Sequence, residues 1–126
     1  MRIGELARRS GTSARSIRYY EQQGLMVARR SPNGYRDYDE AHLRLVAEIR
    51  SLLVNGFDLE EIRPFVDCLH AGVRTRRACP GGIDVYRHKL AELDARIGEL
   101  QSLRDRVARE LWHLEAGPGP GREATG

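Results

Sequence analysis

No stretch of the chain approaches the roughly 18 uncharged apolar residues that a membrane-spanning helix requires. The opening "MRIGELARRSG" has none of the apolar core of a secretory signal. A soluble, cytoplasmic protein with no membrane partner is therefore expected. Cysteine is scarce. Cys68 and Cys79 are too few for a disulfide framework, and in a reducing cytosol the resting pair are thiols. The phosphate-cradling glycine patterns are missing, as are HExxH, CxxC and any Ser/His/Asp arrangement. His42, His70, His88 and His113 are dispersed rather than clustered. Catalysis has no visible home, and the chain is not expected to be an enzyme. Its 126 residues leave room for one small domain with an appendage.

What is present is charge, unevenly placed. The net +3 conceals a basic head: residues 1–38 carry eight arginines against three acids, a net of +5, while the rest of the chain nets −2. Arginines gathered at one end are the footprint of a surface that meets phosphates. The same arginines also fit an ordinary solvated face, so charge alone does not decide.

Periodicity places them. "IGELARRSG" reads as a short helix with Ile3, Leu6 and Ala7 on one face, stopping at Gly11. "TSARSIRYYEQQGL" reads as a second, capped by Thr12 or Ser13, with Ile17 and Tyr20 inward and Arg15, Arg18, Tyr19 and Gln22 forming a separate stripe. Two short helices joined by a tight turn predict a helix-turn-helix. Two strand-like pieces then flank Ser31-Pro32-Asn33-Gly34, a basic hairpin placed as a wing, with Arg29, Arg30 and Arg36 within reach of phosphates. Asp39 is expected to cap a third helix buried through Leu45, Val46, Ile49, Leu52 and Leu53. Asp58 and Glu61 form a capping box for a fourth, with Leu59, Ile62, Val66 and Leu69 inward and a kink or early end at Pro64.

The clearest repeat follows. Ile83, Tyr86, Leu90, Leu93, Ile97, Leu100, Arg104, Val107, Leu111 and Leu114 occupy successive a and d heptad positions, broken only by Arg104. A lone helix cannot bury such a seam, so a partner helix is expected, most simply from a second copy. The organisation expected is a DNA-binding head over 1–70, a cysteine-containing connector over 71–82, a dimerisation helix over 83–115 and a disordered Pro/Gly-rich tail over 116–126.

"IGELARRSGTSARSIRYYEQQGL", "NGYRDY", "NGF" and "DLEEI", followed by the terminal heptads, resemble the MerR family of bacterial transcription regulators. The resemblance covers residues 2–69 motif by motif and 83–114 by architecture. It implies a mainly α fold: a winged helix-turn-helix head with a short β-hairpin wing, then a long C-terminal helix forming an antiparallel coiled-coil homodimer. It also implies double-stranded promoter DNA and RNA polymerase holoenzyme as partners, with activation by bending and untwisting an over-long promoter spacer. By position, it makes Arg18, Tyr20, Tyr35 and Arg36 DNA contacts, beside Arg15, Tyr19, Arg29 and Arg30 from the charge pattern. Tyr20, next to Ile17, reads equally as core.

In metal-sensing members of that family a cysteine at the start of the dimerisation helix is a ligand, and Cys79 occupies that place. The cysteine-bearing loop that completes such a site has no counterpart here, and neither does a four-cysteine iron–sulfur cluster. Three readings stay open: two inert thiols; redox sensing by Cys68 and Cys79; or a metal ion held by Cys68, Cys79 and either His70 or a partner copy's His113. An architectural DNA-binding protein without an effector and a coiled-coil adaptor for other proteins are the competing classes. With about 13 residues between the fourth helix and the heptads, any effector is expected to be small.

Overall fold

The computed structural model describes residues 1–117. Apart from Ala116 and Gly117, the tail expected to be disordered lies outside the described residues. In chain order the elements are α1 (Ile3–Ser10), α2 (Ala14–Gln22), β1 (Arg29–Arg30), β2 (Arg36–Asp37), α3 (Glu40–Val54), α4 (Leu59–His70) and α5 (Gly82–Ala116). Two compact units result, one from Met1 to Val85 and one from Tyr86 onward. The connector expected over 71–82 therefore falls within the first unit, together with the first residues of α5.

In the first unit α1 packs on α2 and α3, and α3 packs on α4. Leu6, Ile17, Val46, Ile49, Leu52 and Ile62 are wholly shut from solvent. The helix starts follow from local chemistry. The Ser13 side chain accepts from Ser16 N–H, and Asp39 accepts from His42 N–H while the His42 ring accepts from Asp39 N–H. Asp58 and Glu61 exchange bonds in the same reciprocal way. Each device satisfies backbone donors that a helix start leaves open.

Helix ends are held over longer range. Arg50 Nη1 donates to the Ser10 carbonyl at 2.8 Å, and Arg63 Nη2 donates to the Gln23 carbonyl at 2.7 Å. Cationic side chains thus occupy carbonyls at the C-terminal ends of α1 and α2, where the helix dipole favours positive charge.

Three expectations need correction. Of the two outcomes expected at Pro64, the early end does not occur, and helix α4 continues to His70. Proline removes only the bond to the Glu60 carbonyl, and Glu60 is exposed, so water can serve that oxygen. Phe57 and Phe65 are buried, though neither belonged to the expected stripes. Leu53 is 37% exposed rather than buried, because it lies off the face that α3 turns to α1 and α4.

The second unit is the continuation of α5. Glu92 accepts from Lys89 at 2.8 Å and from Arg96 at 3.1 Å, pairs at i, i+3 and i, i+4 that support a helix in water. Leu90, Leu93, Ile97, Leu100, Val107, Leu111 and Leu114 are 38–72% exposed. One chain alone leaves this apolar stripe in solvent.

Candidate nucleic-acid interface

Helix α2 sorts its residues by face. Ile17 is fully buried and Tyr20 only 5% exposed, whereas Arg15, Arg18 and Gln22 are exposed and Tyr19 is 47% exposed. The stripe at i, i+3, i+4, i+7 is therefore a solvent-facing one. Tyr20 is the exception among the residues expected to meet DNA. Its ring lies with the core beside Ile17, which follows from its i+3 spacing.

The wing is a two-stranded antiparallel ribbon in which Arg29 pairs with Asp37 and Arg30 with Arg36. Gly34, at φ 84°, supplies the left-handed conformation the turn needs, and Ser31 N–H donates to the Tyr35 carbonyl at 2.8 Å. Both strands are exposed, so Arg29, Arg30 and Arg36 stand in solvent. Tyr35 is 54% exposed, and the Arg2 guanidinium lies 4.1 Å from its ring centroid. That stacking holds a cation in place at little cost in side-chain freedom.

The wing is also tied to α2. Tyr38, buried to 1%, donates its hydroxyl to Glu21, and Arg36 Nε lies 3.6 Å from the other Glu21 oxygen. Burial, then the bond to Glu21, pushes the Tyr38 phenol well above its ordinary range, so it stays a donor. Sequence reasoning missed Arg2 and Glu21. Only the folded chain brings the start of α1 and the end of α2 beside a hairpin formed later.

Two groups stand out among the arginines of this unit. Arg9 makes two bonds with Glu40, Arg50 and Arg63 hold carbonyls, and Arg76 bonds Glu48 and Ser51. Arg15 and Arg18 make no ion pair among the described residues, Arg30 bonds only the Gly34 carbonyl of its own turn at 3.2 Å, and the pairs of Arg29 and Arg36 are long, at 3.7 and 3.6 Å. The first group stabilises the fold. The second group, lying on α2 and the wing, leaves guanidinium donors available for phosphate oxygens or guanine edges.

The connector brings Cys68 and Cys79 together as a disulfide, with Cα atoms 5.8 Å apart. The bond joins the last turns of α4 to the residues just before α5. With the disulfide closed, the pair is not open to a metal ion. The two sulfurs are committed to each other, and the His70 ring bonds the Leu25 carbonyl at 3.3 Å. Among the described residues no three His, Cys, Asp or Glu side chains are grouped to hold an ion.

Comparison with known proteins agrees with the geometry. A family profile described as "MerR HTH family regulatory protein" matches residues 1–67, and one described as "MerR, DNA binding" matches residues 41–109. The HTH-type transcriptional regulator HmrR of Rhizobium leguminosarum bv. viciae is 40% identical over 117 residues, covering 90% of this chain and 83% of that protein. The HTH-type transcriptional regulator CueR of Salmonella typhi is 35% identical over 123 residues, covering 94% and 83%. Among solved structures, the transcription regulator PbrR691 from Ralstonia metallidurans CH34, in complex with lead(II), matches with a TM-score of 0.73 at 28% identity, covering 95% of this chain and 89% of that one. A winged helix-turn-helix with its guanidinium groups turned outward, matched along most of its length by these regulators, identifies the chain as a transcriptional regulator belonging to the MerR family.

Proposed function

We propose that this regulator acts as a homodimer that grips promoter DNA with two heads, bends and untwists it for RNA polymerase holoenzyme in the cytoplasm, and responds to oxidants through Cys68 and Cys79. Arg15, Arg18 and Tyr19 enter the major groove from α2. Arg29, Arg30, Tyr35 and Arg36 clasp backbone phosphates from the wing, and Tyr20 supports α2 from beneath. The observation that carries this reading is the clustering of exposed arginines on α2 and the wing, where Arg15 and Arg18 make no ion pair and the pairs of Arg29 and Arg36 are long. Deforming DNA costs on the order of several kcal/mol, which contacts to displaced phosphates can supply.

The dimer follows from the exposed seam of α5. Seven apolar side chains at a and d positions are stable in water only against a second helix, and a second copy offers the same stripe in antiparallel order. PbrR691 was solved with lead(II); among the described residues of this chain no three potential ligands are grouped, so the oxidant reading is preferred to the metal one.

The test is footprinting on the promoter upstream of the protein's own gene, with reduced and oxidised samples. Protection on both sides of a dyad is expected, with enhanced cleavage at its centre where the duplex is deformed. If two heads each engage about four phosphates, log affinity against log salt has a slope of about −7. Binding that ignores salt, or a single-chain species, sinks the proposal. Distortion that is identical in both redox states supports an effector-independent architectural role instead.

A further inference from the structure

We infer that Cys68 is the sulfur that meets the oxidant and Cys79 the sulfur that resolves it; the assignment rests on the oxidant reading above and makes it specific. Position in the sequence alone points the other way, since Cys79 precedes a helix start and has Arg74, Arg76 and Arg77 close by in the chain. The folded connector reverses that order. Cys79 is 4% exposed, whereas Cys68 is partly open to solvent on α4. The Cys79 sulfur lies 3.5 Å from the Pro64 carbonyl oxygen. When reduced, that thiol has an acceptor for its proton, and both burial and this bond favour the thiol over the thiolate. Arg76 is turned to Glu48 and Ser51 on α3, while Arg74 and Arg77 are exposed.

Cys79 is nevertheless well placed for the second step. Its segment is fastened without help from the sulfur bridge. Arg76 Nε donates to Glu48 at 2.6 Å, Cys79 N–H donates to the Arg76 carbonyl at 3.2 Å, and Gly82 N–H donates to the Cys79 carbonyl at 2.9 Å. Breaking the disulfide therefore leaves the two sulfurs as neighbours, and the closing step is intramolecular at high effective concentration.

The oxidant is a small hydroperoxide. Cys68 sulfur attacks one peroxide oxygen, the O–O bond breaks, and Cys68 becomes a sulfenic acid as its proton leaves on the departing oxygen, giving water from hydrogen peroxide or an alcohol from an alkyl hydroperoxide. Cys79 sulfur then attacks Cys68 sulfur, the S–O bond breaks, and the hydroxyl leaves with the Cys79 proton as water. Two electrons pass from the sulfur pair to the peroxide. Ready closure also protects Cys68 from oxidation to sulfinic acid.

The test uses the full chain, fully reduced, treated with hydrogen peroxide and a cyclic 1,3-dione that captures sulfenic acids, and read by intact mass. Cys79→Ser is expected to carry one dione on Cys68, and Cys68→Ser at least about tenfold less, because its remaining thiol is shielded. Wild type is expected to lose two hydrogens with no adduct. The difference between the two variants should vanish in denaturant, where shielding is gone, and helix content by circular dichroism confirms that both are folded. Equal or greater labelling of Cys68→Ser overturns the assignment, as does wild type that accumulates the adduct instead of the disulfide. Promoter output measured in parallel separates the two ideas. Chemistry in the stated order with unchanged transcription defeats the sensor reading alone, whereas a peroxide response without primary oxidation at Cys68 defeats only the assignment.

Discussion

Arg30 and Arg36 stand directly opposite each other in the wing, two like charges paired across an antiparallel ladder. Such a pair opposes hairpin formation, and a phosphate between the strands relieves it. Arg30→Gln should therefore have two effects of opposite sign. The free protein gains a few tenths of a kcal/mol of stability, while DNA affinity falls. The slope of log affinity against log salt should shrink by about two for a dimer, one phosphate contact per head. Thermal denaturation and a salt series check both; a slope unchanged by the substitution removes Arg30 from the interface.

Arg2 is the residue to examine beside it. Its guanidinium is stacked on Tyr35, so Arg2→Ala loses a charge and a positioned cation together, while Arg2→Lys keeps the charge and weakens the stacking. We expect Arg2→Ala to weaken DNA binding more than Arg2→Lys, and Tyr35→Leu to erase most of the difference between them. Fluorescence anisotropy with a labelled operator measures all three.

The exposed seam predicts its own failure. Leu100→Asp places a charge among the d positions of α5, where a partner helix would have to bury it. The variant is expected to sediment as a single chain and to lose helix content. Operator affinity should drop by about 10² or more as the two heads lose their linkage. A dimeric, fully helical Leu100→Asp protein would mean that α5 is covered by something other than a second α5.

Acid stability should depend on the α3 cap. The His42 backbone N–H, chief among its contacts, holds the Asp39 carboxyl below its ordinary value. A depressed folded-state pKa stabilises the protein above the unfolded value, about pH 4, and that contribution is lost as pH falls through the folded value. Asp39→Asn still caps the helix but cannot titrate. Its stability should consequently fall less steeply than wild type below about pH 4, as followed by urea denaturation at several acid pH values.

Gly82 closes the connector. A methyl group there would lie 2.5 Å from the Arg76 carbonyl oxygen and 3.1 Å from Phe65 Cε1. Gly82→Ala should cost about 1–3 kcal/mol, because backbone rather than a flexible side chain must move. It should also slow formation of the Cys68–Cys79 bond after reduction, measured by thiol titration over time.

Much of the fold was legible because its signals are short-range. The Asp39 cap and the Asp58–Glu61 box depend on residues three apart, and the α5 seam depends on a seven-residue repeat, so neither needs the rest of the molecule to be recognised. The division of α2 into an exposed Arg15–Arg18–Tyr19 stripe and a buried Ile17–Tyr20 pair follows from helical pitch in the same way. Phe65 obeys the same logic, since it completes the i, i+3, i+4, i+7 stripe of Ile62, Val66 and Leu69. Phe57 escaped it: it lies between α3 and α4, and its burial depends on how the two helices meet.

The sequence by itself determined where helices start, which face of α2 is basic, that a hairpin follows it, and that α5 carries an unsatisfied apolar stripe. Tertiary structure decided the rest: which arginines hold the fold and which remain open, that Glu21 anchors the wing through Tyr38, that Arg2 reaches Tyr35, and that Cys79 is buried against Pro64 while bonded to Cys68. The physical reason is reach. Capping, turn chemistry and helical pitch act within a few residues, whereas charge partners, solvent access and sulfur proximity depend on segments eleven to forty residues apart meeting once the core has closed.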